Sequence, residues 1–117
     1  MMRYLIPGLL ALSLAALAQG AGTSAREIDY LIAFVGGSGC TFHRNGSDYP
    51  ASEAADHLQL KYRRGARYAD TAEHFIDRLA SESSWSGKPY TVTCAGKTES
   101  SRAWLHRALD SYRQTGS

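Results

Sequence analysis

The 117-residue sequence is short of most features that would announce a chemistry. It has two cysteines, no long apolar run beyond its first twenty residues, and a formal net charge of only +2. There is no H-E-x-x-H, no paired C-x-x-C and no calcium-loop spacing, which removes the common signatures of zinc and calcium sites. Charge this close to balance gives no general argument for nucleic-acid binding. Ser86-Gly87-Lys88 and Gly96-Lys97-Thr98 superficially resemble nucleophile and phosphate motifs. A phosphate-binding loop would need a glycine at 91, where Thr91 stands, and an S-x-x-K pair would need a serine at 85, where Trp85 stands. Asn45-Gly46-Ser47 fits the glycosylation pattern, but a turn explains the Asn-Gly pair without a glycan. The chain shows no internal repeat, no low-complexity tract and no linker long enough to divide it.

What is present begins with an address. Residues 1–20, MMRYLIPGLLALSLAALAQG, place Arg3 before an apolar run from Leu5 to Leu17 and end in small residues. That is the layout of a secretory signal peptide. The run is shorter than the roughly 20 apolar residues a membrane span needs. Ala16-Leu17-Ala18 sets the expected cleavage before Gln19, with a second junction before Arg26. No cysteine follows closely, so no lipid anchor is expected. Removing residues 1–18 from 117 leaves 99, one small domain without a transmembrane segment. Losing Arg3 leaves twelve cations against eleven carboxylates. Two cysteines, Cys40 and Cys94, in a chain bound for an oxidising compartment predict a disulfide. Closing a loop of about 55 residues contributes roughly 4 kcal/mol by chain entropy.

Ser24 and Glu27 stand in capping-box spacing, and Ile28, Leu31, Ile32 and Val35 follow on one helical face until Gly36-Gly37. Asn45-Gly46 centres a hairpin in which Arg44 faces Ser47, His43 faces Asp48 and Phe42 faces Tyr49. Cys40, Phe42 and Tyr49 then share an apolar face, while Thr41, His43 and Asp48 share a polar one. Pro50 opens a helix over about 51–64 with Ala54, Ala55, Leu58 and Tyr62 inward and Leu60 off the stripe. A third helix is expected from Asp70, with Glu73 at capping-box spacing and Ala72, Phe75, Ile76, Leu79 and Ala80 buried. After the polar loop SESSWSGKPY, the segment YTVTC alternates, with Tyr90, Val92 and Cys94 on one face. AGKTES reads as a second polar loop. A last helix over about 101–113 buries Trp104, Leu105, Ala108, Leu109 and Tyr112. The expected fold is α+β: about four helices on a small antiparallel sheet, made of the Asn-Gly hairpin and one further strand, with one disulfide.

Few side-chain groups suggest chemistry. Cys40 and His43 face opposite ways on a strand, so they make no thiol–imidazole pair. Asp70, His74 and Asp77 fall on one face of the third helix and could hold a metal, with Glu73 nearby, or form a solvated face. Glu53 and His57 form a weaker pair. Lys61, Arg63, Arg64 and Arg67 lie among tyrosines in KYRRGARY, a pattern that suits anionic surfaces or the C-terminal end of a helix. Trp85 fits no stripe. It is either an exposed recognition element with Lys88 beside it or a plug folded over the core.

CTFHRNG, AADHLQLKY and DTAEHFIDRLASESSWSGKPYTV resemble the YfeK-like family of small exported bacterial proteins, a domain of unknown function. The likeness runs from about Ile28 to Cys94 and is most specific over Phe42 to Gly46 and Asp70 to Val92. It implies a shared fold and an envelope address in a Gram-negative bacterium, and carries no catalytic residue, cofactor or activity. The expectation is a non-enzymatic periplasmic binding or accessory protein, its partner an envelope protein or anionic surface. The alternative is a small metal-dependent hydrolase centred on Asp70, His74 and Asp77. A thiol-redox role is disfavoured by the distance between the cysteines.

Overall fold

The computed structural model of the protein describes residues 7–115. Helix α1 (Pro7–Gly37) leads into a hairpin of β1 (Thr41–Arg44) and β2 (Ser47–Pro50), then α2 (Ala51–Gly65). A 3₁₀ turn (Ala66–Tyr68) precedes α3 (Ala72–His74), which passes directly into a π-helical turn (Phe75–Leu79). A second hairpin, β3 (Thr91–Cys94) and β4 (Lys97–Ser100), and helix α4 (Ser101–Gln114) complete the chain. Among the described residues, no helix is long and apolar enough to cross a membrane.

The class is the expected α+β, but the sheet has four antiparallel strands, ordered β2-β1-β3-β4. AGKTES is therefore a turn and an edge strand. Ala95 and Gly96 take φ of 50° and 80°, close to the 52° and 81° of Asn45 and Gly46. Both central positions of such a hairpin turn need positive φ. An alanine is held there at a cost of roughly 1 kcal/mol, so Ala-Gly advertises the turn far less than Asn-Gly does. The strand itself, KTES, is polar throughout, as suits an exposed edge.

The two hairpins and their helices are also related to each other. Phe42 of β1 lies opposite Val92 of β3, and Thr41↔Thr93 and His43↔Thr91 flank that pair. An offset of 50 residues maps Phe42 onto Val92 and exchanges the flanking pairs. A local two-fold axis therefore passes between Phe42 and Val92. The same offset takes Gly46 to Gly96 and the buried Ala51 to the buried Ser101, each the first residue of its helix. Few residues are shared across that offset, which is why a repeat invisible as sequence is plain as architecture.

One face of the sheet packs on the helices. Ile28, Leu31 and Val35 of α1, Phe75 and Ile76, Val92, and Leu105 and Leu109 of α4 are almost wholly buried there. Phe42 meets the Trp104 ring edge-on at 5.5 Å. At about 25 cal/mol per Å² of apolar surface removed from water, such packing is the main favourable term in folding. The expected stripe of the third helix, Ala72 to Ala80, is buried in full.

Helix starts differ from expectation. Ser24 lies inside α1 rather than at its start, because nothing among the preceding residues breaks the helix. Glu27, freed from capping, is buried and bonds Arg113 of α4 through both carboxylate oxygens, at 2.7 and 2.9 Å. Arg113 also reaches Glu73, so one guanidinium ties α1, α3 and α4 together. The third helix is capped by Thr71, whose Oγ1 accepts from the His74 N–H at 3.0 Å, and not by Asp70. Asp70 is engaged instead by the His74 ring. The helix then widens at Ala80, whose N–H reaches the Phe75 carbonyl at 3.1 Å.

Candidate functional site

The register of β1 and β3 sets the two ends of the sheet apart. Continued one residue beyond the ladder, it pairs Cys40 with Cys94 at one end and Arg44 with Tyr90 at the other. The first pair is the disulfide, with Cα atoms 4.7 Å apart. The second pair is open and polar. Alternation puts Arg44 and Tyr90 on the helix-covered face, where α2 brings His57 and Lys61 against them.

There one Arg44 guanidinium nitrogen lies 3.0 Å from His57 Nδ1 and 2.9 Å from Nε2, donating to the ring, and the guanidinium stacks over Tyr49 at 4.5 Å. His57 Nε2 lies 3.3 Å from the Tyr90 hydroxyl oxygen, and Lys61 Nζ donates to the same oxygen at 3.1 Å. Whichever ring nitrogen accepts from Arg44 carries no proton, so the network assigns a neutral imidazole. Burial, reinforced by the Arg44 and Lys61 charges, lowers the His57 pKa to about 4. Burial and the Arg44 charge bring Lys61 down to about 8 against the opposing pull of Glu82. Burial raises Tyr90, a shift that Arg44 partly opposes.

This cluster floors a cleft of about 640 Å³. Arg64 from the end of α2 and Arg78 from the π-helical turn add two further cations to its walls, and Tyr68 and Trp85 add aromatic rings. Trp85 is 88% exposed, which overturns the reading in which it plugs the core. Its loop is nevertheless fixed. Ser83 Oγ accepts from the N–H groups of Trp85 and Ser86. The Asn45 amide donates to Ser83 Oγ at 3.2 Å and accepts from Ser86 Oγ at 2.5 Å. The hairpin turn thus pins the tryptophan loop. Behind Arg44, His57 and Tyr90 lies a cavity of about 40 Å³, lined by Val35, Phe42, Leu58 and Leu105. The buried Ser101 Oγ also lines it and has no hydrogen-bond partner.

Arg44, Lys61, Arg64 and Arg78 have no carboxylate partner within ion-pair distance among the described residues. By contrast Arg102, Arg107 and Arg113 of α4 pair with Asp77, Glu99 and Glu27. Cations gathered in one cleft without ion-paired carboxylates disfavour the apo state electrostatically, and an anion would relieve that. The cleft offers donors from a guanidinium, an ammonium and a phenol, an arrangement that can hold a phosphate or carboxylate.

Of the residues singled out in the sequence, the fold brings Lys61, Arg64 and Trp85 to this cleft. Arg63, Arg67 and Lys88 lie outside its lining. Arg67 stacks on Tyr68 at 4.8 Å. The metal reading of the third helix is corrected: His74 bonds Asp70, but Asp77 is taken by Arg102 at 3.0 Å and His106 at 2.8 Å. No group of three His, Cys, Asp or Glu side chains among the described residues is placed to hold a metal. Arg44, His57, Tyr90 and Arg78 were missed as a cluster. The available signal was Arg44, a cation in phase with Phe42 on the apolar face of its strand.

The open face of the sheet carries a second polar network. The expected His43–Asp48 cross-strand pair forms at 2.6 Å, His43 Nε2 meets Thr93 Oγ1 at 2.7 Å, and Thr93 meets Thr98. The order carboxylate, imidazole, hydroxyl is that of a nucleophilic triad. Thr93 lines neither of the two cavities described above.

The family model described as "Family of unknown function (DUF5329)" matches residues 22–113. A 50-residue stretch is 52% identical to the "Uncharacterized protein YfeK" of Salmonella typhimurium (strain LT2), covering 43% of this chain. The match spans 42% of that relative's own length. No solved structure matches.

Proposed function

The chain belongs to DUF5329, a family of unknown function with a YfeK-like member, and from that premise we propose that it is a non-enzymatic binding protein for an anionic ligand. The carrying observation is the cleft at the Arg44–Tyr90 end of the sheet, with four cations lacking carboxylate partners and Trp85 exposed at its rim. The cations receive the charge of the ligand, and the indole covers an adjoining flat or apolar part. The pinned loop supports this role, because a backbone already held loses little entropy on binding. The apolar N-terminal run and the disulfide support an exported protein of the bacterial periplasm, cleaved before Gln19, acting as an accessory of the envelope.

Pyridoxine 5′-phosphate, a flat ring bearing a phosphate, tests the reading, with pyridoxine as the control lacking the phosphate. The phosphorylated compound is expected to quench tryptophan emission saturably, and Trp85→Ala to abolish the response while leaving stability within about 0.5 kcal/mol. Equal responses to the two compounds, or none to either, would contradict it.

A further inference from the structure

Lys61 is the unusual group of the cleft. Two of its three N–H donors are engaged, by the Tyr90 hydroxyl at 3.1 Å and the Glu82 carbonyl oxygen at 3.1 Å. Its ammonium lies 5.0 Å from the centre of the Tyr90 ring. A lysine serving only as a charged anchor gains from a nearby carboxylate, yet the groups around this one are mostly cationic or neutral. Arg44 and His57 face it across the floor, Arg64 and Arg78 share the walls, and Glu82 is the one carboxylate that acts on it. Half-burial beside the Arg44 guanidinium favours the free amine, and a free amine in an anion-binding cleft is a nucleophile toward carbonyls.

We propose that Lys61 captures its ligand covalently and reversibly: the cleft takes an anion carrying an aldehyde or ketone, held as an imine on Lys61 Nζ. This inference rests on the anion-binding reading of the cleft and adds the functional group of the ligand. The nitrogen lone pair attacks the carbonyl carbon, and the carbonyl π pair moves to oxygen. A proton passes from the nitrogen to that oxygen through the Tyr90 hydroxyl, giving a carbinolamine. The nitrogen then expels the hydroxyl group, which leaves as water with a second proton relayed by Tyr90. Tyr90 ends as it began, no oxidant or reductant is needed, and water reverses the sequence. The arginines seat the anionic part, and His57, kept neutral, holds the phenol in place with Nε2 3.3 Å from its oxygen. The lowered Lys61 pKa of about 8 supplies free amine near neutral pH.

The chain has three lysines, Lys61, Lys88 and Lys97, and the last two are exposed, so the protein carries its own controls. The test uses the full exported chain, an equimolar amount of pyridoxal 5′-phosphate, borohydride reduction and peptide mass mapping. One pyridoxyl group on Lys61, with Lys88, Lys97 and the terminal amine unlabelled, is the expected result. The rate of imine formation should rise through pH 8. Tyr90→Phe should slow it by a larger factor than it weakens binding of pyridoxine 5′-phosphate, which has no aldehyde. Label spread evenly over the amines while pyridoxine 5′-phosphate still quenches Trp85 would overturn the covalent step and leave the binding reading standing. Failure of both compounds to quench would overturn the binding reading and this inference with it.

Discussion

Lys61 Nζ stands 3.1 Å from the Tyr90 hydroxyl oxygen, and no carboxylate among the described residues reaches it within ion-pair distance. A half-buried ammonium in that position opposes folding at neutral pH, since the unfolded chain hydrates it fully. Lys61→Met keeps the packed stem and removes the charge, so urea denaturation at pH 7 should show a gain of about 1 kcal/mol. The gain should shrink as pH rises from about 8 to 10.5, because there the wild-type protein binds fewer protons than its unfolded chain and grows more stable. A loss of stability at pH 7 would contradict this placement.

His57 acts in a different window. Its folded pKa is about 4 against an ordinary 6.5, so between those values the unfolded state binds more protons than the folded one. Stability is therefore full above pH 6.5 and falls as pH drops toward 4, by about 1 kcal/mol once solvent screening is allowed for. Denaturation midpoints measured across that range should fall less steeply in His57→Gln than in the wild type. Glu73, held below the usual carboxylate range by its bond to Arg113, adds its loss at lower pH in both proteins.

Arg113 is expected to matter far more for Glu27 than for Glu73. Arg113→Met strands a carboxylate that is buried between helices, at a cost of about 3 kcal/mol in chemical denaturation. Glu73→Gln breaks a half-exposed pair and should cost less than about 1 kcal/mol. Equal losses would show that Glu27 is not the buried member.

The disulfide closes a sequence separation of 54 residues, and replacing both Cys40 and Cys94 by alanine should cost about 4 kcal/mol. The bond lies at the end of the β1–β3 pair opposite the cleft, so the folded double variant should bind pyridoxine 5′-phosphate as the wild type does. A loss of binding without a loss of fold would tie the two ends together.

Much of the architecture was legible where local chemistry and burial agree. The stripes of α2, the third helix and α4 and the Asn45-Gly46 hairpin follow from spacing, and the Cys40–Cys94 pairing from an even cysteine count in a chain with an export-like N-terminus. β4 was not legible, because Lys97 to Ser100 bury too little to alternate and Ala95 hides its turn. Nor was the cap of the third helix, where Asp70 and Thr71 could both serve and the His74 ring claims the aspartate. The cleft divides in the same way. Lys61, Arg64 and Trp85 stand out in their own segments, whereas Arg44, His57 and Tyr90 converge only through the pairing of β1 with β3 and the packing of α2. Long-range register is what a local pattern lacks. The polar face of the third helix misled for a related reason: Asp77 finds its partners, Arg102 and His106, on a helix 25 residues and more away.

The most direct measurement is a titration of isotope-labelled protein with pyridoxine 5′-phosphate, followed by NMR of the backbone amides, arginine Nε–H groups and indole N–H groups. Saturable shifts are expected at Arg44, Arg64, Arg78 and the Trp85 indole, with Trp104 and the ion-paired arginines of α4 unmoved. Shifts centred on α4 or on the His43–Thr93 face, or none at saturating probe, would contradict anion binding at the cleft.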